Sequence, residues 1–355
     1  MPKDFYPQPD APDPVLANEL VLSLVRRHVP GAKEVTGVDE SGGEARTYAV
    51  GAGNVPERRR TLGGSPAEGR SRMPARMPAS LDAGTLDAGT LDAGTLGAGI
   101  ILKTQRPQQL RARTSLEKER FFLNQIASGL PDVSVPRVLG GGREGRYIEY
   151  SVLTRMPGVA LRNAELSAEA RLEVMRELGR TLRRIHGLPQ TPFADNPLFP
   201  GDRSADDVRK RMAELFEEFV ARIHAEESPW SLSLAPEQVA ERALMLLPDR
   251  DERVALHSNP WHEHTFVDPV TARYTGLIDF GDAYISHPAL DLRRWRVRAE
   301  REALLAGYTA DEPVSAEFLA TWLVAQALGD MAAIAGSPAL AAAAQADLKL
   351  LLDQL

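Results

Sequence analysis

The chain has 355 residues, of which 43% are hydrophobic and 26% charged, with a formal net charge of −7 and no cysteine. This length can bury a large core, so we expect two lobes in an ordinary globular protein. The negative charge argues against a nucleic-acid partner, which needs clustered Lys and Arg. Without cysteine, the chain can form no disulfide, thiolate nucleophile or cysteine zinc site.

The sequence predicts neither a signal peptide nor a membrane span. The first fourteen residues are rich in Pro and Asp and lack the apolar core of a signal peptide. No uninterrupted apolar run approaches the 18 residues of a membrane span. We therefore expect a cytoplasmic enzyme without a membrane partner; whether it is a monomer or a dimer is left open.

The N-terminal part mixes one helix with several strands. Apolar positions at helical spacing predict a helix over 18–28. Residues 34–50 read as strand, turn and strand, and 99–103 as a third strand, which ends in a lysine. A second helix is predicted over 115–128, from acidic residues in its first turn and an apolar stripe.

Residues 52–98 interrupt this pattern as a low-complexity insertion. Its first part is rich in Pro, Arg and Gly, and the unit Leu-Asp-Ala-Gly-Thr then repeats at 81–85, 86–90 and 91–95. Three Gly-rich pentads are too few to stack into a solenoid. We interpret the segment as a disordered insertion in a hairpin loop, with a partner-binding loop as the alternative. Loops tolerate such length because closure entropy grows only logarithmically.

The second half of the chain is predicted to be mainly helical. A Gly-rich turn at 136–142 precedes strands at 147–149 and 150–153. The predicted helices beyond them are 167–185, 205–225, 236–247 and a group within 315–355. We therefore divide the chain into an N-lobe at 1–153 and a C-lobe at 154–355.

Three features of the predicted N-lobe suit phosphate binding. Backbone N–H groups in the turn Ser41-Gly42-Gly43 can come close to phosphate oxygens. Lys103, at the end of its strand, can hold α- and β-phosphates. Glu119 on the next helix can pair with it, with Glu117 as the competitor. Each feature also has an ordinary explanation, as a hairpin turn, a solvated lysine or a surface glutamate.

The most specific segment runs Leu-His-Ser-Asn-Pro-Trp-His-Glu-His-Thr-Phe-Val-Asp over 256–268, followed by Thr-Gly-Leu-Ile-Asp-Phe-Gly-Asp over 275–282. It reads as a loop, a hairpin and an Asp at the end of a buried strand. That Asp, Asp279, can project its carboxylate to bind Mg²⁺. With His257 upstream and Asp291 downstream, the spacing is more specific than a strand-ending turn.

These residues resemble the signature of the aminoglycoside phosphotransferase family, relatives of protein kinases that phosphorylate small molecules. That signature runs His-Gly-Asp, four residues, Asn, then a strand and Asp-Phe/Leu-Gly. His257 matches its His, and Asn259 matches its catalytic Asp. His264 matches its metal-binding Asn, and Asp279 its metal-binding Asp.

The resemblance covers about 34–50 and 99–300 and leaves the insertion outside. It implies an α+β, protein-kinase-like fold of two lobes, with a β-rich N-lobe and a larger, mainly helical C-lobe. It also implies ATP, alternatively GTP, with Mg²⁺, and transfer of the γ-phosphoryl group to a hydroxyl of a small molecule. An aminoglycoside-like antibiotic or a related metabolite is the implied acceptor, and antibiotic resistance the implied role.

The resemblance also implies roles for residues outside the signature. Lys103 and Glu119 match the family's phosphate lysine and its helix partner. The backbones of Thr154 and Met156 match the adenine-binding hinge. Asp291 matches an Asp that supports the catalytic loop.

Two departures from the signature bear on activity. Asn259 can accept a hydrogen bond from a substrate hydroxyl but cannot take its proton, and loss of a general base typically costs ~10²–10⁴-fold. His264 offers a ring nitrogen, which suits Mg²⁺ less than oxygen does; alternatively, Asp279 is the dominant ligand. The sequence therefore predicts an impaired phosphotransferase, a nucleotide-binding pseudoenzyme with a regulatory or sequestering role, or an Asp→Asn variant of an active parent.

Two other classes fit less well. The histidines at 257–264 lack the His-Glu-x-x-His spacing of a zinc site. A protein kinase needs a long activation segment, but Asp291 follows Asp279 within about a dozen residues. A small-molecule acceptor is therefore favoured. The arginine-rich segment around Trp295 is expected to cover the exterior of the C-lobe.

Overall fold

The computed structural model describes residues 15–40, 45–52, 99–106, 116–145, 148–225, 230–249 and 252–352. These residues cluster into two compact units, of which the smaller lies within 14–104 and 138–155 and the larger within 105–137 and 156–355. Ser41, Gly42 and Gly43 lie outside the described residues, as does the predicted insertion beyond Ala52. The predicted lobe boundary at 153/154 stays a prediction.

Among the described residues, a five-stranded sheet and one helix form the smaller unit. Its elements are α1 Asn18–Arg26, β1 Ala32–Asp39, β2 Ala45–Ala52, β3 Ile100–Gln105, β4 Val138–Glu144 and β5 Ile148–Thr154. The strand order is β1-β2-β3-β5-β4, with β1 antiparallel to β2, and β5 antiparallel to β3 and β4. Alternate residues of β3, Ile100 and Leu102, join Val21 and Leu24 of α1 in one core, as the two-residue period of a strand requires.

The Gly-rich turn predicted at 136–142 is wrong, because this segment enters strand β4. Glycine has a low strand propensity. Hydrogen bonds between the backbones of β4 and β5 stabilise the strand in spite of it. Gly140 has a packing role there, since a Cβ would lie 2.1 Å from Nδ1 of His28. The two short strands predicted within 147–153 are a single strand, β5, from Ile148 onward, and Tyr147 lies outside the described residues.

The larger unit is mainly helical and carries two small sheets. Its helices are α2 Leu116–Gly129, α3 Ala168–His186, α4 Thr191–Ala194, α5 Ala205–Ala225, α6 Pro236–Met245, α7 Ala289–Leu292, α8 Arg298–Tyr308, α9 Ala316–Gly336 and α10 Pro338–Leu352. Its strands are β6 Val159–Ala160, β7 Val254–Leu256, β8 Thr265–Val267, β9 Tyr274–Leu277 and β10 Tyr284–Ser286. They pair antiparallel as β6-β8-β9 and β7-β10. The predicted α+β fold, sheet-rich first and mainly helical afterwards, is confirmed.

One hydrophobic core of the larger unit lies among α5, α6, α9 and α10. By length and composition α9 could cross a membrane, but 67% of its most apolar stretch is buried inside the protein. Burial on several sides explains why α9 is apolar around most of its circumference.

Two glycines let α3 and α8 pack backbone against backbone. A Cβ on Gly179 would lie 2.1 Å from the carbonyl oxygen of Leu304, and a Cβ on Gly307 would lie 1.9 Å from that of Arg176. Backbone atoms cannot swing away as a side-chain tip can. The contact therefore requires glycine on both helices.

Replacing Gly179 by Ala is expected to lower the free energy of unfolding by about 1–3 kcal/mol, the usual penalty of overpacking. The better helix propensity of Ala, about 1 kcal/mol, offsets only part of the clash. Urea denaturation measures the change. Gly31→Ala is the control, because a Cβ at Gly31 meets nothing within 4 Å. Equal stability of the two variants would contradict the close packing.

Candidate active site

One buried carboxylate holds the loop that follows β7. Asp291, on α7, accepts hydrogen bonds from the backbone N–H groups of His257 at 2.8 Å and Ser258 at 2.7 Å. Nε2 of His186 lies 3.0 Å from the same carboxylate, and Nδ1 of His186 lies 2.9 Å from the hydroxyl of Tyr308. Asp291 therefore links the loop, 34 residues before it, to His186 of α3, 105 residues before it.

The ring of His257 braces the loop from within. Its Nε2–H donates to the carbonyl of Ile278 at 2.8 Å, and its Nδ1 accepts from the backbone N–H of Asn259 at 3.2 Å. Phe280 packs edge-on against it, with ring centroids 4.5 Å apart. Burial lowers the pKa of His257 to about 4, so the ring is neutral near pH 7.

Two residues of the site have left-handed backbone conformations. Ser258 has φ 78° and Asp279 has φ 71°. Non-glycine residues adopt such angles at some energetic cost, and they concentrate at functional sites. Ser258 stands where the resembled signature has Gly, and its positive φ is a physical reason for a glycine there. These bends turn the chain immediately before Asn259 and Phe280.

The bends bring three predicted site residues together. Nδ1 of His264 lies 2.8 Å from the backbone carbonyl oxygen of Asn259. Its Nε2 lies 3.3 Å from Oδ2 of Asp279. Both facing side chains are partly exposed, His264 by 18% and Asp279 by 37%, so a ligand can reach them. An imidazole nitrogen and a carboxylate oxygen at this separation fit a divalent cation.

The other predicted residues are placed one by one. Lys103 lies on β3 opposite Ser151 of β5, and Thr154 ends β5 with its side chain buried. Glu119 is buried on α2, and Met156 is buried in the larger unit. The pairing of Lys103 with Glu119 and the nucleotide-binding role of Thr154 and Met156 stay predictions.

Lys118, which sequence reasoning missed, and Phe122, from the predicted apolar stripe, support the segment around Asp279. Lys118 on α2 is buried, and its Nζ donates to the carbonyl of Ala283 at 2.8 Å. Phe122, one helical turn further, packs on Phe280 with centroids 5.0 Å apart. The four-residue spacing of Lys118 and Phe122 was an available signal that both share one buried face. Trp295 is also buried, which corrects its predicted place on the exterior.

The buried state of His257 predicts a pH dependence of stability. Its pKa of about 4 in the folded state lies below the ordinary 6.5, so only the unfolded chain gains this proton between those values. Stability should therefore fall as the pH drops from about 6.5 to about 4, by up to ~1.4 kcal/mol per pH unit for this group. His257→Gln should remove that part of the slope, whatever its effect on stability at pH 7. Urea denaturation at pH 7 and pH 5 compares the slopes, and parallel slopes would contradict a buried neutral His257.

Comparisons with known proteins identify the family of this chain. The sequence profile described as the Phosphotransferase enzyme family matches residues 87–336, more than half of the chain. The chain belongs to the phosphotransferase enzyme family. This confirms the family resemblance; the match begins within the repeat segment and extends beyond the predicted limit near residue 300.

Individual proteins that resemble this chain share only a small part of its sequence. An aminoglycoside 3'-phosphotransferase of Streptomyces ribosidificus is 26% identical over 151 residues, which cover 42% of this chain and 53% of that relative. The chain thus spans about half the length of this curated relative. Similar solved structures include a GDP complex of an aminoglycoside 2'-phosphotransferase (TM-score 0.54, 14% identity, 96% of this chain and 98% of that chain). A macrolide 2'-phosphotransferase from Brachybacterium faecium is also similar (TM-score 0.51, 21% identity, 93% and 98%). These likenesses show the phosphotransferase fold.

Proposed function

We propose that the protein transfers the γ-phosphoryl group of ATP, or of GTP, to a hydroxyl of a small molecule of aminoglycoside or macrolide type. The observation that carries this proposal is the 3.3 Å approach of His264 Nε2 to Asp279 beside Asn259. The names of the relatives support the acceptor class, and the nucleotide in a similar structure supports the donor class. We keep a cytoplasmic location as part of the proposal.

The proposed reaction is a direct displacement at phosphorus. The acceptor oxygen bonds to the γ-phosphorus while the bond from that phosphorus to the bridging oxygen breaks, and the nucleoside diphosphate leaves. A divalent cation held by His264 and Asp279 would neutralise phosphate charge. The side-chain oxygen of Asn259 can orient the acceptor hydroxyl by accepting its hydrogen bond. Because the amide cannot hold the proton, that proton passes to solvent or to a phosphate oxygen.

The amide also favours a second candidate, a nucleotide-binding protein without turnover. Asn259 keeps the backbone geometry of the loop, because its N–H and carbonyl bond to His257 and His264 without its side chain. A chain of this kind can bind a nucleotide and a cation while transferring phosphate slowly or not at all. It would then act by regulation or sequestration.

Mass spectrometry of acceptors incubated with ATP and a divalent cation separates these functions. The panel should include aminoglycosides, macrolides and simple alcohols, with the native chain and Asn259→Asp compared throughout. We expect at least one acceptor to gain a phosphoryl group, faster with Asn259→Asp. Nucleotide binding without transfer by either protein would support the pseudoenzyme. Absence of nucleotide binding by both would remove both functions.

A further inference from the structure

The ring of His264 lies between two oxygen acceptors. Its Nδ1 is 2.8 Å from the backbone carbonyl of Asn259, and its Nε2 is 3.3 Å from Oδ2 of Asp279. A neutral imidazole has one N–H and one lone pair. Because a carbonyl only accepts, Nδ1 carries a hydrogen, and in the neutral ring the lone pair is then on Nε2, which faces the carboxylate.

In this form Nε2 and the carboxylate oxygen are both metal donors, and a divalent cation can lie between them. A cation with donors about 2.1 Å away and at right angles sets neighbouring donors about 3 Å apart. The observed 3.3 Å is close to that spacing. Among the described residues no group of three metal-capable side chains occurs, so the remaining positions fall to phosphate oxygens and water, as at other nucleotide-bound cations.

The surroundings of His264 match those of a metal ligand. Histidines that bind metals usually donate their other ring N–H to a carbonyl or carboxylate, which fixes the ring and raises its basicity. The carbonyl of Asn259 supplies this partner. The backbone of His264 is fixed on both sides, since its N–H donates to Trp261 at 2.8 Å and its carbonyl accepts from Ile278 at 3.0 Å.

From this donor set we propose that the site selects a divalent first-row transition metal, such as Mn²⁺ or Co²⁺, over Mg²⁺. This inference rests on the proposed function, because the cation is the one that accompanies the nucleotide. Mg²⁺ prefers oxygen donors and octahedral geometry, whereas imidazole nitrogen suits transition metals, in the order Mn²⁺ below Co²⁺. The resembled signature has the oxygen donor Asn at position 264, so the preference belongs to this chain.

Electron spin echo spectroscopy of bound Mn²⁺ tests the coordination without any turnover. The full chain, with ¹⁴N- or ¹⁵N-labelled histidine, is mixed with Mn²⁺ and a non-hydrolysable ATP analogue. We expect nitrogen modulation that changes with the isotope and disappears in His264→Asn. His262→Asn is the matched control, because the neighbouring His262 contacts neither Asn259 nor Asp279 in the described hydrogen bonds and ion pairs; it should keep the signal.

Calorimetry supplies the second readout. With the nucleotide analogue present, the affinity ratio of Co²⁺ to Mg²⁺ should fall at least about tenfold in His264→Asn, since even outer-shell partners of a metal change its affinity by 10–100-fold. Bound Mn²⁺ without histidine modulation would overturn the metal inference and leave the proposed function standing. This is the result expected if His264 is doubly protonated and pairs with Asp279 instead of binding the metal. No binding of nucleotide with metal by any variant would overturn both.

Discussion

Replacing Asn259 by Asp is expected to raise kcat by ~10²–10⁴-fold for the best acceptor, the usual contribution of a general base. The two side chains have the same shape, so the substitution adds a charge without adding volume. The loop should keep its conformation because the contacts of residue 259 with His257 and His264 are made by its backbone. The carboxylate would then take the proton that the amide cannot.

Initial rates at saturating nucleotide and metal measure the effect. Asn259→Ala is the control, and we expect its kcat to be no higher than that of the native chain, because alanine neither orients nor deprotonates the hydroxyl. Equal kcat values for the native chain and Asn259→Asp would show that proton removal does not limit the proposed reaction. In that case positioning and charge neutralisation would account for the rate.

Removing the Asp291 side chain is expected to lower the free energy of unfolding by about 3–5 kcal/mol, because it leaves several buried hydrogen-bond donors without an acceptor at about 1–3 kcal/mol each. Asp291→Ala leaves the N–H groups of His257 and Ser258 without their buried acceptor and leaves His186 facing a cavity. The loop should lose its conformation before the unit unfolds, because Ser258 holds a positive φ only under constraint.

Urea denaturation measures the loss, and two further variants interpret it. Asp291→Asn keeps one acceptor oxygen, so its free energy of unfolding should fall by less, about 1–3 kcal/mol. Asp311→Ala, which removes an exposed carboxylate, should change stability by less than about 0.5 kcal/mol. A loss at Asp291→Ala no larger than at Asp311→Ala would contradict the role of Asp291 in holding the loop.

Local patterns predicted much of this molecule. The helices at 205–225 and 236–247 were found within a few residues, because burial of one face imposes a period of 3.6 residues. The loop around His257 and the strand before Asp279 were found from their order and spacing. The close approach of His264 to Asp279 follows that prediction, since the β8–β9 hairpin folds their segments together.

What the sequence could not predict depends on distant partners. His186 lies 105 residues before Asp291, and no local period marks either as the other's partner. Strand β4 was missed because three glycines signal a turn, and only its pairing with β5 makes it a strand. The positive φ of Ser258 could not be predicted from the serine itself. The glycine that the resembled signature has at this position was the one available indication.

Calorimetric titration of ATP and Mg²⁺ into the native chain and into Asp279→Ala tests the central claim most directly. We expect saturable binding to the native chain, retained in Asp311→Ala and weakened at least about tenfold in Asp279→Ala, the size of effect that changes around a metal site produce. No binding to the native chain, or equal affinity of the native chain and Asp279→Ala, would contradict a nucleotide site built on Asp279.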